Sequence, residues 1–188
     1  MGRPKPLLPW PDDSGSDVAL VEYQIAQLKA AGAHEVIVVL GHRSDEVASL
    51  VTGAGGSYVV NPHYATGKTT SIKAGLGRLN QTAEVIVLLA VDQPRPAAVI
   101  RRVIQAHRES GMAVTSPIHL GRGGHPIVFA ARLIPELKEI TERNQGIREV
   151  IERHRSDIHR VEIGDPNVRL DLNTPEDYEA GYASVTAP

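Results

Sequence analysis

The chain has 188 residues, no cysteine, and a formal charge of −2 from 20 basic and 22 acidic side chains. This length suits one domain, residues 1–188, with a sizeable core. The balanced charge leaves no basic excess for nucleic acid or an anionic membrane, one Trp and one Phe argue against a base-stacking platform, and the missing cysteine excludes disulfides and thiolate metal sites. No apolar run approaches a membrane span and the amino terminus has no signal-peptide core, so the expected location is cytoplasmic and the expected partners are small molecules.

Taken in order, residues 2–10 hold three prolines and read as an extended loop. Asp12 to Asp17 is a polar turn, with Asp17 as candidate cap of a helix running to about Ala31 that carries Leu20, Val21, Ile25 and Leu28 at helical spacing. A buried-type strand over 35–40 follows, then a helix from Ser44, a short strand over 58–61, a helix from about Ser71, and the aliphatic run Val85 to Val91. That run lacks alternation and so reads as a strand covered on both faces. Beyond it come a helix over about 96–109, a strand over 113–116, a Gly-rich loop over 120–126 and a strand over 127–130. Two helical stretches, a strand over 158–163 and a last helix behind Asn173-Thr-Pro175 complete the chain. Repeated strand–helix alternation predicts an α/β, Rossmann-like, doubly wound and mostly parallel sheet with helices on both faces.

Asp92 ends the aliphatic run at the carboxyl edge of the predicted sheet, where ligands bind in open α/β folds. Two readings stand there: a carboxylate that holds a metal against a phosphate, or a cap for the helix entered through Pro94. Asp171 ends a second apolar stretch and has the same two readings, as a second oxygen ligand or as an organiser of the turn before the last helix. Gly67-Lys68-Thr69 suggests a P-loop, but the glycine needed five positions earlier is Pro62, which has no amide hydrogen. Its place at a helix start still suits either an anion site or an ordinary cap. Gly121-Arg-Gly-Gly-His-Pro126 reads as a loop closing over a ligand or as a glycine-rich turn. Lys5, by itself, is a surface lysine.

In sequence order, Gly2-Arg-Pro-Lys-Pro-Leu-Leu-Pro9, Asn61-Pro62 with Gly67, Ser71 and Ala74-Gly-Leu76, Val91-Asp-Gln-Pro94, Gly124-His-Pro126, and Asp171-Leu-Asn-Thr-Pro-Glu-Asp177 together resemble the molybdenum cofactor cytidylyltransferases, in the MobA-like NTP transferase group. The resemblance implies transfer of CMP from CTP to the phosphate of molybdopterin with release of pyrophosphate. The alternatives it leaves are a guanylyltransferase of the same cofactor using GTP, a sugar-phosphate nucleotidyltransferase, and a non-catalytic carrier or chaperone of the cofactor serving a molybdoenzyme.

By the same resemblance, Lys5, Asp92 and Asp171 are catalytic, with Asp92 and Asp171 holding Mg²⁺. Gly2, Lys5, Gly67, Ser71 and Asp92 meet the nucleotide, and Gly124 and His125 meet the pterin. Lys68 departs from the usual methionine and places an extra cation beside the nucleotide. Family members also begin with a strand and a Gly-rich phosphate loop, of which Met1 and Gly2 match only the end, so the chain is expected to be truncated at its amino terminus.

Overall fold

The structure, a computed structural model, describes residues 4–186. The nucleotide role expected of Gly2 lies outside those residues. Near the amino terminus, β1 (Pro9–Pro11) and β2 (Asp17–Ala19) form an antiparallel hairpin. The predicted polar turn is its tip: Asp12 Oδ1 accepts from the amides of Ser14 and Ser16. Asp17 is therefore in a strand and does not cap α1 (Leu20–Ala30). The Glu22 carboxylate reaches back 3.0 Å to the Ala19 amide and closes that helix end instead.

The chain continues through β3 (Ile37–Leu40), α2 (Ser44–Gly53), β4 (Ser57–Val60), α3 (Lys68–Leu76), β5 (Val85–Leu88), α4 (Ala97–Ser110), β6 (Val114–His119), β7 (Arg122–Gly123) and β8 (Ile127–Ala130). It ends with α5 (Ile134–Glu139), α6 (Ile147–Arg153), β9 (Ile158–Glu162) and α7 (Pro175–Thr186). Helix α3 starts at Lys68, one turn earlier than its apolar spacing suggested. The glycine-rich loop contains β7, a two-residue strand folded back on β6.

The α/β class is as expected, and besides the β1–β2 hairpin the described strands form a two-stranded β3–β4 sheet and a mixed five-stranded sheet. Strands β3 and β4 pair in parallel, as do β6 and β9, whereas β8 runs antiparallel to both of its neighbours, β5 and β6. The reason is local: the β6–β7 turn returns the chain directly into β8 with no crossover helix, and a strand that returns without a crossover must be antiparallel. Among the described residues β3 pairs only with β4, and β5 only with β8, so each keeps one edge without a ladder partner.

Side chains of β5 alternate between two cores, which is why the run needed no polar face. Val85 and Val87 join Val99, Ile100, Val103, Val128 and Val161 beneath α4. Ile86 and Leu88 point the other way, to Leu76, Phe129, Leu133, Leu137 and Val150 beneath α3, α5 and α6. Both faces of β5 pack on a core, and Asp92 lies in the turn just beyond its carboxyl end.

Candidate functional site

The segment after β5 does not use Asp92 as a cap. Helix α4 begins at Ala97 behind Pro96, with no side-chain cap, and the Ala97 amide is taken by Gln27 Oε1 at 2.6 Å from α1. A second glutamine of α1, Gln24, donates to the carbonyls of Ala90 and Gln93 at 3.0 and 2.8 Å. Both glutamines are buried, so their amides substitute for water along the 90–97 segment and hold it against α1. Asp92 is left free to face other groups.

It faces Lys5. The ammonium Nζ lies 2.7 Å from Asp92 Oδ2 and 3.4 Å from Asn173 Oδ1, and the pair is about a quarter exposed. Lys5, read in isolation as a surface lysine, is thus set against the acid at the end of β5. Two devices bring these distant segments together. The lone Trp10 is 2 % exposed and packs against Tyr23, Tyr178 and Tyr182 with ring centroids 6.2–6.3 Å apart, which fastens α7 to β1 just beyond Lys5. The Leu172 amide also donates to the Asp92 carbonyl at 2.8 Å, so the segment carrying Asp171 and Asn173 lies directly on the end of β5. Helix α7 is closed by Thr174, whose amide donates to Asp177 while its hydroxyl accepts from the Asp177 amide. Asp171 is not needed for that cap.

Asp171 faces the interior with one oxygen. Its Oδ1 is buried without a hydrogen-bond partner and lies 3.7 Å from Arg95 Nη2, while its side chain as a whole is 40 % exposed, so the other oxygen is directed outward. Arg95 is fully buried and its pKa is pushed down to about 10, chiefly by burial, with Asp171, Asp165 and Asp92 pulling it back up; it is a cation at neutral pH. His125 closes the group. Its ring Nδ1 lies 3.1 Å from Gln93 Nε2, and its amide donates to the Val168 carbonyl at 2.8 Å. Burial holds this imidazole below its ordinary pKa; Arg95 and Lys68 push it the same way, against Asp171 and Asp92. An acceptor Nδ1 toward the Gln93 amide matches a neutral ring. Gly124 is bare for a reason, since a Cβ there would overlap the Val168 carbonyl oxygen and lie 2.9 Å from its carbon.

The start of α3 is a separate cluster. Gly67 has φ 129, a backbone that L side chains avoid, and the Thr69 amide behind it donates to Glu142 Oε1 at 2.8 Å. A carboxylate from far along the chain therefore caps this helix. Ser71 Oγ accepts from buried Asn61 Nδ2 at 3.0 Å, which ties α3 to the end of β4. Neither Gly67 nor Ser71 makes a hydrogen bond to Lys5, Asp92, Asp171 or His125 among the described residues. Lys68, at the start of α3, is the smallest of the charges that bear on the His125 pKa, and it lowers it.

Residues 1–158 match the family described as the MobA-like NTP transferase domain. The chain belongs to that family. It is 27% identical over 182 residues to the molybdenum cofactor cytidylyltransferase of Escherichia coli K12, covering 95% of this chain and 86% of that protein. It is also 28% identical over 184 residues to the nicotine blue oxidoreductase of Paenarthrobacter nicotinovorans, covering 94% and 87%. Among solved structures, the Mycobacterium tuberculosis protein Rv0371c in complex with manganese superposes with TM-score 0.79 at 25% identity, over 96% of this chain and 92% of that one. The Rv0371c homologue of mycobacterium sp. strain JC1 gives 0.79 at 30% identity, over 98% and 89%.

In this MobA-like chain the donor set fits a hard divalent ion. Asp92 and Asp171 sit on adjoining segments, both are oxygen donors, and the Asp171 oxygen that does not face Arg95 is directed outward. No group of three or more His, Cys, Asp or Glu side chains is gathered to hold a metal among the described residues, so an ion here would complete its shell with water and substrate oxygens. Sequence reading missed Arg95, Gln24, Gln27 and Glu142. The glutamines sit within the helical pattern of α1, but nothing in the periodicity marks a buried polar position, and Glu142 is separated from Thr69 by 73 positions.

Proposed function

We propose that this chain is a nucleotidyltransferase of molybdenum cofactor maturation that moves CMP from CTP to the phosphate of molybdopterin. The observation that carries the reading is the Lys5 ammonium set on Asp92, with Asp171 braced beside it at the end of β5. A cation beside two carboxylates suits phosphoryl chemistry, in which catalysis is mostly positioning and charge neutralisation. A phosphate oxygen of the acceptor attacks the α-phosphorus of CTP, the bond to the bridging oxygen breaks, and pyrophosphate leaves. Lys5 exchanges Asp92 for triphosphate oxygens as the nucleotide enters. Asp92 and Asp171 hold Mg²⁺, which when bound neutralises charge at the α-phosphate. Gly67 and Ser71 lie by the base and ribose, with Lys68 adding a cation there. Gly124 and His125 meet the pterin, where a neutral imidazole offers hydrogen bonds without a charge.

The chain works in the cytoplasm and hands its product to a molybdoenzyme or its chaperone. The test is Mg²⁺-dependent pyrophosphate release in the presence of molybdopterin, run with CTP and GTP in turn. It uses this chain and the same chain extended upstream by its own coding sequence. CTP-dependent release that Asp92→Ala abolishes is the expected result. Release with GTP alone would move the assignment to the guanylyl reaction, and tight pterin binding with no release from either chain would favour a carrier.

A further inference from the structure

Arg95 is fully buried, the most deeply enclosed charged residue among the described residues, and all the hydrogen bonds of its guanidinium go to backbone carbonyls. Nε donates to His125 at 3.1 Å, Nη1 to Pro94 at 2.9 Å and Leu170 at 2.7 Å, and Nη2 to Val168 at 3.0 Å. These carbonyls belong to three separate segments. Pro94 follows Asp92 at the end of β5, His125 lies in the β7–β8 loop, and Val168 and Leu170 lead into Asp171. A guanidinium spreads its N–H groups over a rigid plane, whereas an ammonium gathers its three donors at one atom on a flexible stem and does not reproduce that spread. Burying a cation is costly unless it is fully hydrogen-bonded, so a side chain placed here serves geometry more than stability. The same Nη2 faces the buried Asp171 Oδ1, which leaves the outward oxygen as the one offered to a ligand.

We infer that Arg95 is a positioning residue of the candidate site: its guanidinium clamps the Asp92, His125 and Asp171 segments into one register and turns a single Asp171 oxygen outward. The catalytic part of this inference rests on the nucleotidyltransferase reading; the clamp itself does not. Two neighbouring contacts depend on it. The Val168 carbonyl takes both Arg95 Nη2 and the His125 amide, and the Leu172 amide reaches Asp92 across the same junction.

The test compares Arg95→Lys and Arg95→Ala in the full chain, extended upstream if only that form turns over. In Arg95→Lys the amides of His125 and Leu172 exchange about tenfold faster, while those of Val103 and Ile104 in α4 are unchanged. Turnover falls about a hundredfold, with the nucleotide KM held within about threefold, as expected when positioned groups shift by about an ångström. Added guanidinium restores part of the turnover of Arg95→Ala. Unchanged His125 and Leu172 exchange in both variants overturns the clamp. Turnover that only follows the folded fraction, with no response to guanidinium, overturns the positioning role. If the parent chain releases no pyrophosphate from any nucleotide, the functional reading fails, and the exchange data still decide on the clamp.

Discussion

Gly124→Ala isolates the contact on which the His125 loop depends. The new Cβ would overlap the Val168 carbonyl oxygen and come within 2.9 Å of its carbon, and both are backbone atoms with little room to give. The segment must move away, which stretches the 2.8 Å bond from the His125 amide to that same carbonyl. Overpacking of this kind costs about 1–3 kcal/mol, and a lost hydrogen bond adds about 1 kcal/mol. The sum is about 2–4 kcal/mol, or roughly 5–15 °C in melting temperature for a chain of this size. Gly123→Ala is the internal control, because a Cβ at Gly123 meets nothing within 4 Å and its φ is not positive. It should change stability by less than about 0.5 kcal/mol. Thermal melts and equilibrium denaturation of both variants make the comparison. Equal effects at the two glycines, or no effect at Gly124, would refute the close-approach argument.

Two further expectations concern groups away from the carboxylates. His107 is 4 % exposed, lies 2.9 Å from Thr115 Oγ1, and is held below its ordinary value of 6.5 by burial first and by Arg132, Arg108 and His159 next. The unfolded chain takes up this proton as pH drops below about 6.5 and the folded chain does not, so stability is complete above that value and declines below it until the folded pKa is reached, by up to about 1.4 kcal/mol per pH unit. His107→Gln should remove that part of the slope in melts taken at stepped pH, and an unchanged slope counts against it. Glu142→Gln weakens the cap on α3 and should speed exchange of the Thr69 amide. Because its hydrogen bonds from Thr69 depress the Glu142 pKa below 4.5, the carboxylate's advantage is full above that pH and fades as pH falls through the folded value. A difference between wild type and variant that persists in acid would contradict the assignment.

The order of strands and helices was legible because it rests on local patterns: aliphatic runs for β3 and β5, helical spacing for α1 and α4, and Thr174 before Pro175 for the cap of α7. Asp92 and Asp171 were legible as acids closing apolar stretches, although each had an ordinary structural reading of equal or greater weight. The structure removes the capping reading of Asp92 by satisfying α4 through Gln27, while Asp171 keeps a part in the turn before α7, where its carbonyl accepts from the Asn173 amide. Helix α3 shows the limit of the same reasoning. The Thr69 amide behind Gly67 meets Glu142, a pairing across 73 positions that no local window contains.

Local chemistry sets the elements and marks which acids close apolar stretches, since propensity, spacing and turn chemistry act over a few residues. Tertiary packing sets which of those ends share a rim. Lys5 meets Asp92 across 87 positions, and Arg95 meets Leu170 across 75, because Trp10 and its tyrosines lock α7 onto β1 and the cores beneath α3 and α4 set the level of β5. It also decided the direction of β8, which depends on a tight return and not on composition. Contacts of that range are set by how covered faces stack, and the residues that make them, Arg95 above all, carry no periodic signal in the chain.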